Sequence, residues 1–332
     1  MSQNPLQILV ADPVWKVRKG DITQIMGERS FVRVSVDDVL SDRANPEVAF
    51  ISRDVTGAST KYDIKPDTQR YYDALLKSDA LKWVHVHSAG ADRFVYIDLM
   101  KRGVSLTTSP GANASGVAQT TLAAILALAR NLPALMQAQK EHRWQTLLAL
   151  GVPPDLEGQT AVIVGWGPIG QTIGKVLQSL GVRIVVVRNT ASPIDIADKV
   201  VSWDGFHDVL PEADWMVLAC PLTKQTTNLM SREAFERIKR GAMIANVSRG
   251  AVVDEPAMIE KLQSGHLAGA YLDVFAAEPL PADSVLWDMP NVIATAHTAS
   301  FSHGMYARME QMFLDNLKRY VRAEPLVNVA SP

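Results

Sequence analysis

The stretch VIVGWGPIGQTIG, from Val162 to Gly174, decides how this chain is read. Gly165, Gly167 and Gly170 fall in a G-x-G-x-x-G spacing, a weak signal alone because glycine is common and short patterns recur by chance. Context gives it weight. The run TAVIV before Gly165 is β-type, and IGQTIGKVLQSLG after it has the apolar spacing of an amphipathic helix. In such a strand-turn-helix unit the first glycine permits the tight turn, the second lets backbone approach a pyrophosphate, and the third permits close helix-strand packing. Pro168 lies just inside the helix start, where its missing N–H costs little. With Trp166 and Ile169 it completes a turn that offers free N–H groups and the positive helix end to phosphate.

Short β-branched runs alternate with longer amphipathic segments on both sides of this unit. LQILVA, FVRVSV, VAFIS and LKWVHVHS come before it, and VRIVVV, WMVLAC, GAMIANVS, GAYLDVF and NVIATA come after. That alternation predicts an α/β fold of parallel strands covered by helices. At about 100–200 residues per domain, 332 residues make two domains. The Pro/Gly/Ser-rich SPGANASG leads into a helix, at about Val117 to Arg130, that is apolar around most of its circumference. The shift in composition suits a domain boundary. Such a helix buries more than one face, either in an interior or against another subunit. MYARMEQMFLDNLKRYV predicts a terminal helix that could pack back on the first domain.

Lys and Arg total 33 against 35 Asp and Glu, with no long run of one sign, so no basic field is available for nucleic acid or an anionic membrane. The longest apolar run, LAAILALA from Leu122, is well short of the roughly 20 residues needed to span a bilayer. One cysteine, Cys220, excludes an internal disulfide, and no leader pattern opens the sequence, so a cytoplasmic location is expected. Small molecules or a second copy are the expected partners. His85 and His87 share a strand face, but without a Cys or acidic cluster they read as cleft lining or packing, and no metal site is expected. Trp144 reads as a buried apolar anchor more readily than as a cleft residue.

The strand after the glycine unit ends in VVVRNT. An NAD site usually places Asp or Glu here for the ribose 2′-hydroxyl, whereas Arg188 stands without an acid beside it. A guanidinium pairs with a 2′-phosphate through two hydrogen bonds, so NADP is favoured over NAD, with Asn189 and Thr190 as further donors.

Farther on come PLTKQTTNLM, NVSRGAVVDE, LDVFAAEPLP and LWDMPNVIATAHTAS, in that order. With the glycine turn, and with LKWVHVHSAGADRF and SPGANA upstream, they make the chain resemble the D-isomer-specific 2-hydroxyacid dehydrogenases, a family that includes glyoxylate/hydroxypyruvate reductases and phosphoglycerate dehydrogenase. The resemblance implies a Rossmann-type doubly wound parallel sheet, residues 111–298, inserted into a discontinuous flavodoxin-like substrate domain, residues 1–110 and 299–332, with the active site in the cleft and a homodimer as the assembly. Hinges are expected near Ser109–Gly111 and Thr298–Phe301. The implied catalytic set is Arg249, Glu278 and His297. His297 would donate a proton to the carbonyl oxygen of a 2-oxo acid, Glu278 would hold the far side of the imidazole, and Arg249 would bridge the substrate's carboxylate and carbonyl oxygens. Arg249 and His297 thus also count as substrate-binding, with Ser88, Ala89, Gly90 and Ala91 as a carboxylate-binding loop. Cys220, Pro221, Thr226, Val247, Ser248 and Asp273 are implied to border the cofactor, Asp273 accepting from the nicotinamide carboxamide. A structural acid in a turn is the other reading of Asp273, and Cys220 reads as a small buried residue rather than a nucleophile.

Gln119 stands where many relatives carry Glu, and Ala296 precedes the histidine where Pro is common. The absence of Gln immediately before His297 argues against formate dehydrogenase, and a serine-sensing C-terminal domain is not expected. The expected activity is NADPH-preferring reduction of a small 2-oxo acid such as glyoxylate or hydroxypyruvate to the D-2-hydroxy acid. Two alternatives stay open. One is an NAD-linked dehydrogenase of a bulkier acid, and the other is a non-catalytic dinucleotide sensor like the corepressors called C-terminal binding proteins.

Overall fold

The computed structural model describes residues 4–60 and 63–330. The chain forms two compact units, Met1–Ala112 with Ser302–Pro332, and Asn113–Phe301, the second lying in sequence within the first. Each is built on one parallel sheet.

In the first unit the strands are β1 (Leu6–Val10), β2 (Phe31–Val34), β3 (Val48–Ile51), β4 (Trp83–Val86) and β5 (Ser105–Thr107), in the order β2-β1-β3-β4-β5. Side chains alternate across a strand, so a sheet covered on both faces needs apolar residues at every position rather than every second one. Leu9, Ala49, Val84 and Val86 enter one core, and Ile8, Val10, Val48, Phe50 and Trp83 enter the other. The helix Met305–Val321 seals that second face with Phe313, Leu314 and Leu317. Phe313 stacks on Phe50 with ring centroids 4.7 Å apart. The last helix therefore does return to the first unit, because its apolar stripe has an aromatic layer waiting for it.

The second unit holds β6 (Thr160–Val164), β7 (Arg183–Val187), β8 (Lys199–Val201), β9 (Trp215–Leu218), β10 (Met243–Asn246), β11 (Gly269–Leu272) and β12 (Val292–Ala294). Their order is β12-β11-β10-β9-β6-β7-β8, all parallel. Counted from β6, this is the doubly wound order of dinucleotide-binding sheets with one strand added. Val162, Val164, Val185 and Val187 face one core while Ala161, Ile163, Ile184 and Val186 face the other. The helices Ala114–Ala129 and Pro168–Ser179 pack together on the second of these faces. Ala118, Leu122, Ala124, Ile125, Leu128 and Ala129 are buried there, which accounts for the broad apolar surface of the first helix as interior packing.

β5 (SLT) and β8 (KVV) escape a reading by hydrophobic runs because each is only three residues long and at least one of the three is polar, whereas the equally short β12 is wholly apolar. Trp144 corrects an expectation: it is 96% exposed rather than a buried anchor, in a stretch where Met136, Leu148 and Val152 are exposed as well. Among the described residues no single helix is long and apolar enough to cross a membrane.

Candidate active site

The carboxyl ends of all seven strands of the second sheet lie on one edge, and the strand order reverses between β6 and β9, where such sheets open a ligand crevice. The glycine turn occupies that point. Gly165 has φ +97°, and a Cβ there would lie 2.7 Å from the carbonyl oxygen of Ala219. A Cβ on Gly170 would lie 2.2 Å from the carbonyl oxygen of Gly165. Both glycines are steric necessities. A Cβ on Gly167 would meet nothing within 4 Å, so here the absent side chain leaves open space at the start of the helix Pro168–Ser179. The first-turn N–H groups of a helix have no partner within it, and Pro168 removes only one of them. The ring of Trp166 turns back over the helix, where a Cβ on Gly174 would come 2.6 Å from it, and Trp166 therefore contributes main chain to the turn.

At the end of β7 the Arg188 N–H donates to Val201 O at 3.1 Å. No carboxylate pairs with the Arg188 guanidinium among the described residues. Asn189 and Thr190 are exposed, and the Asn189 amide oxygen accepts from the indole of Trp203. After β9, Cys220 is buried with its sulfur 3.8 Å from the Ser248 hydroxyl, and burial pushes the thiol up. The Ser248 hydroxyl donates to Cys220 O, and Val247 N donates to Leu218 O at 3.1 Å. Thr226 is buried: its hydroxyl donates to Pro221 O and accepts from Thr223 N, each at 2.7 Å, so it is consumed in shaping the turn.

Arg249, Glu278 and His297 hang from the ends of β10, β11 and β12, three neighbouring strands. The His297 Nδ1 lies 2.8 Å from Glu278 Oε2, and the other oxygen of Glu278 accepts from Phe275 N at 3.1 Å. Burial acts to raise the Glu278 carboxyl, but the hydrogen bond and charge of His297, the Phe275 N–H and Arg249 outweigh it and hold the carboxyl below its ordinary range. Arg249 donates to Ser248 O at 2.8 Å. Its loop is braced by the buried Asn246, whose amide donates to Arg249 O at 3.2 Å and accepts from Ser248 N at 3.1 Å. Gly250 backs directly onto the loop that carries Glu278, for a Cβ on it would lie 1.9 Å from the carbonyl oxygen of Phe275. Asp273 is buried, and its carboxylate accepts from Thr295 Oγ1 at 2.6 Å, Thr298 N at 2.8 Å and Ala299 N at 3.1 Å. All three donors belong to the His297 loop.

Ser88, Ala89, Gly90 and Ala91 lie in the first unit, after β4, with the Ser88 hydroxyl donating to Gly90 O at 2.7 Å. His85 and His87 are buried in that unit. His85 lies 2.8 Å from Thr107 Oγ1 and 2.9 Å from Ser109 Oγ, and His87 3.0 Å from Thr56 Oγ1, which makes both of them packed, hydrogen-bonded residues.

The sequence model for the NAD-binding domain of D-isomer-specific 2-hydroxyacid dehydrogenases matches residues 122–299, which spans the glycine turn and the three loops just described. The chain belongs to this family. It is 33% identical over 248 residues to a glyoxylate reductase of Korarchaeum cryptofilum, covering 74% of each chain. A family protein from Aeromonas salmonicida shares the fold with a TM-score of 0.78 and 26% identity, over 99% of both chains. Another, from Xanthobacter autotrophicus and solved with NADPH and MES, gives a TM-score of 0.74 at 25% identity, again over 99% of both chains.

The cradle of this family member fits a nicotinamide dinucleotide: there is open space at Gly167, a helix start beside it, and at the next strand end the Arg188 guanidinium, with which no carboxylate pairs among the described residues. Sequence reading missed four residues that organise the site, namely Trp203, Asn246, Gly250 and Thr295. Asn246 and Gly250 stand inside NVSRGAVVDE, where a polar residue closing a buried strand and a glycine after the arginine were the available signals. Nothing local marks Trp203.

Proposed function

We propose that this chain reduces a small 2-oxo acid, with glyoxylate and hydroxypyruvate the leading substrates, to the D-2-hydroxy acid where the product is chiral, and that it prefers NADPH. The observation that carries the reading is the His297–Glu278 pair at 2.8 Å, beside the Arg249 loop and on the same sheet edge as the glycine turn.

The turn from Gly165 to Gly170 would hold the pyrophosphate, and Arg188 with Asn189 and Thr190 the 2′-phosphate. Cys220, Pro221, Val247 and Ser248 would border the remainder. When bound, the reduced nicotinamide supplies the hydride. An ionised carboxylate only accepts hydrogen bonds, so the imidazole atom facing Glu278 carries a hydrogen and Nε2 is left to pass a proton to the substrate's carbonyl oxygen. Arg249 offers paired donors to the substrate's carboxylate and carbonyl oxygens, and its charge offsets the negative charge that grows on the latter. That no carboxylate pairs with Arg188 among the described residues supports NADPH, and the NADPH complex of the Xanthobacter relative agrees with it.

The order β2-β1-β3-β4-β5 supports reading the first unit as a flavodoxin-like substrate domain. The exposed apolar side chains of Met136, Trp144, Leu148 and Val152 support a homodimer formed through that segment.

The test is a panel of 2-oxo acids assayed with both reduced nucleotides. Rapid NADPH oxidation with glyoxylate or hydroxypyruvate is expected. Faster turnover of NADH with a bulkier acid would replace this reading by the NAD-linked one, and no turnover with any acid, despite tight nucleotide binding, would leave the sensor.

A further inference from the structure

We propose that Trp203 is a positioning residue that sets nucleotide specificity by turning the amide of Asn189 so that its N–H groups face a 2′-phosphate. The inference rests on the NADPH reading above and adds a residue to it. An indole N–H donates and cannot accept, so the atom of the Asn189 side chain that meets it must be the amide oxygen. The NH2 group then points away from the indole, as a pair of donors on the residue that follows Arg188 in sequence. Without the indole, the amide could rotate and present its oxygen, a repulsive dipole, toward the phosphate.

Trp203 is suited to this because it is fixed from behind. It opens a single turn, Trp203–Gly205, that follows β8, and its ring packs with Val201 against the core beneath the sheet. Gly205 lets the turn lie close, since a Cβ there would come 3.1 Å from Val201 Cβ. Val201 O in turn accepts from Arg188 N. The strand end carrying Arg188 and Asn189 is thus tied by one main-chain hydrogen bond to the end of β8, at Val201, and by one side-chain hydrogen bond to the turn that follows it, at Trp203. The adenosine end of a dinucleotide lies over such strand ends in doubly wound sheets.

Calorimetric titration of NADP+ and NAD+ into the intact protein tests this without relying on turnover. Trp203→Phe keeps the ring packing and removes the donor, so affinity for NADP+ should fall roughly 3- to 10-fold, the range of one modest hydrogen bond, with NAD+ affinity unchanged. Asn189→Asp keeps an acceptor for the indole but places a carboxylate near the phosphate. It should weaken NADP+ more than Trp203→Phe does and again spare NAD+. Equal loss for both nucleotides in Trp203→Phe, or no loss for NADP+ in either variant, would overturn the proposal. Failure of the underlying reading shows differently: wild type would bind NADP+ no better than NAD+, and Arg188→Ala would change nothing, which sinks both ideas together. If Arg188→Ala abolishes the preference while the other two variants do not, only the role of Trp203 and Asn189 is lost.

Discussion

Asp273 grips the His297 loop twice. Its carbonyl oxygen accepts from His297 N at 2.9 Å, and its buried carboxylate accepts from Thr298 N at 2.8 Å. Between these anchors His297 adopts φ +48°, a left-handed conformation that a residue with a Cβ enters only when its surroundings impose it. The carboxylate is thus already engaged by protein, in keeping with the structural-acid reading, and its effect on catalysis should run through the imidazole. Asp273→Asn, which weakens the charge-assisted bonds and must offer an N–H to one of the donors, is expected to lower kcat about 10- to 100-fold, the scale of a misplaced catalytic group. Thr295→Val, which removes one of the same bonds, should do less in the same direction. A rise in KM for the nucleotide with kcat preserved would instead assign Asp273 to cofactor binding.

His297 is half-exposed and Glu278 about a third exposed, so replacing either should spare the fold. His297→Ala is expected to cut turnover roughly 10²- to 10⁴-fold, the usual worth of a positioned acid, with little change in thermal midpoint. Glu278→Gln should fall between the variant and wild type, because glutamine can still accept from Nδ1 but no longer balances charge on the ring. Near-normal rates in His297→Ala would remove the imidazole from the mechanism.

Gly250 joins two of the three loops. A methyl group at this position would overlap the Phe275 peptide and push the Arg249 loop away from the loop leading to Glu278. Gly250→Ala should therefore cost about 1–3 kcal/mol of stability, as overpacking does, and reduce kcat by more than the loss of folded protein explains. A variant with normal stability and normal kcat would show that the two loops tolerate separation.

How much of this was legible in the sequence follows from what is local. Gly165 and Gly170 announce themselves because their constraint comes from the turn they form, and the apolar strands because both faces of a parallel sheet are covered. Arg249, Glu278 and His297 stand far apart in the chain and have no shared spacing, so a family resemblance rather than a pattern brought them together. The grip of Asp273 on residues 295–299 could not be read at all, since it exists only once β11 and β12 pair with Leu272 beside Ala294. Trp203 was invisible for the same reason: Arg188 and Val201 meet only where β7 and β8 pair, with Val187 beside Val201. Trp144 misled because a large apolar side chain is ordinarily buried, and here it is not.

The buried histidines of the first unit predict an acid-sensitive fold. Ser109 Oγ donates to Val86 O, so it accepts from Nε2–H of His85, and Thr107 Oγ1, which already accepts from Trp83 Nε1, donates to Nδ1. The neutral ring is fully satisfied in this arrangement. Burial lowers His85 to about 3, and burial, with Arg53, Arg93 and His85 nearby, lowers His87 to about 3 as well. Both rings bind a proton near pH 6.5 when unfolded, so between about pH 6.5 and 3 the unfolded chain takes up protons that the folded chain refuses. The stabilising contribution is complete above this window and is lost as pH falls through it, by about 2 kcal/mol for each ring at pH 5. Urea denaturation at pH 7 and pH 5 should show the first unit weakened at the lower pH, and His85→Gln should make the difference smaller even though it lowers stability at both. Equal stability of the wild-type protein at the two pH values would mean that these rings are protonated in the folded state or reached by water.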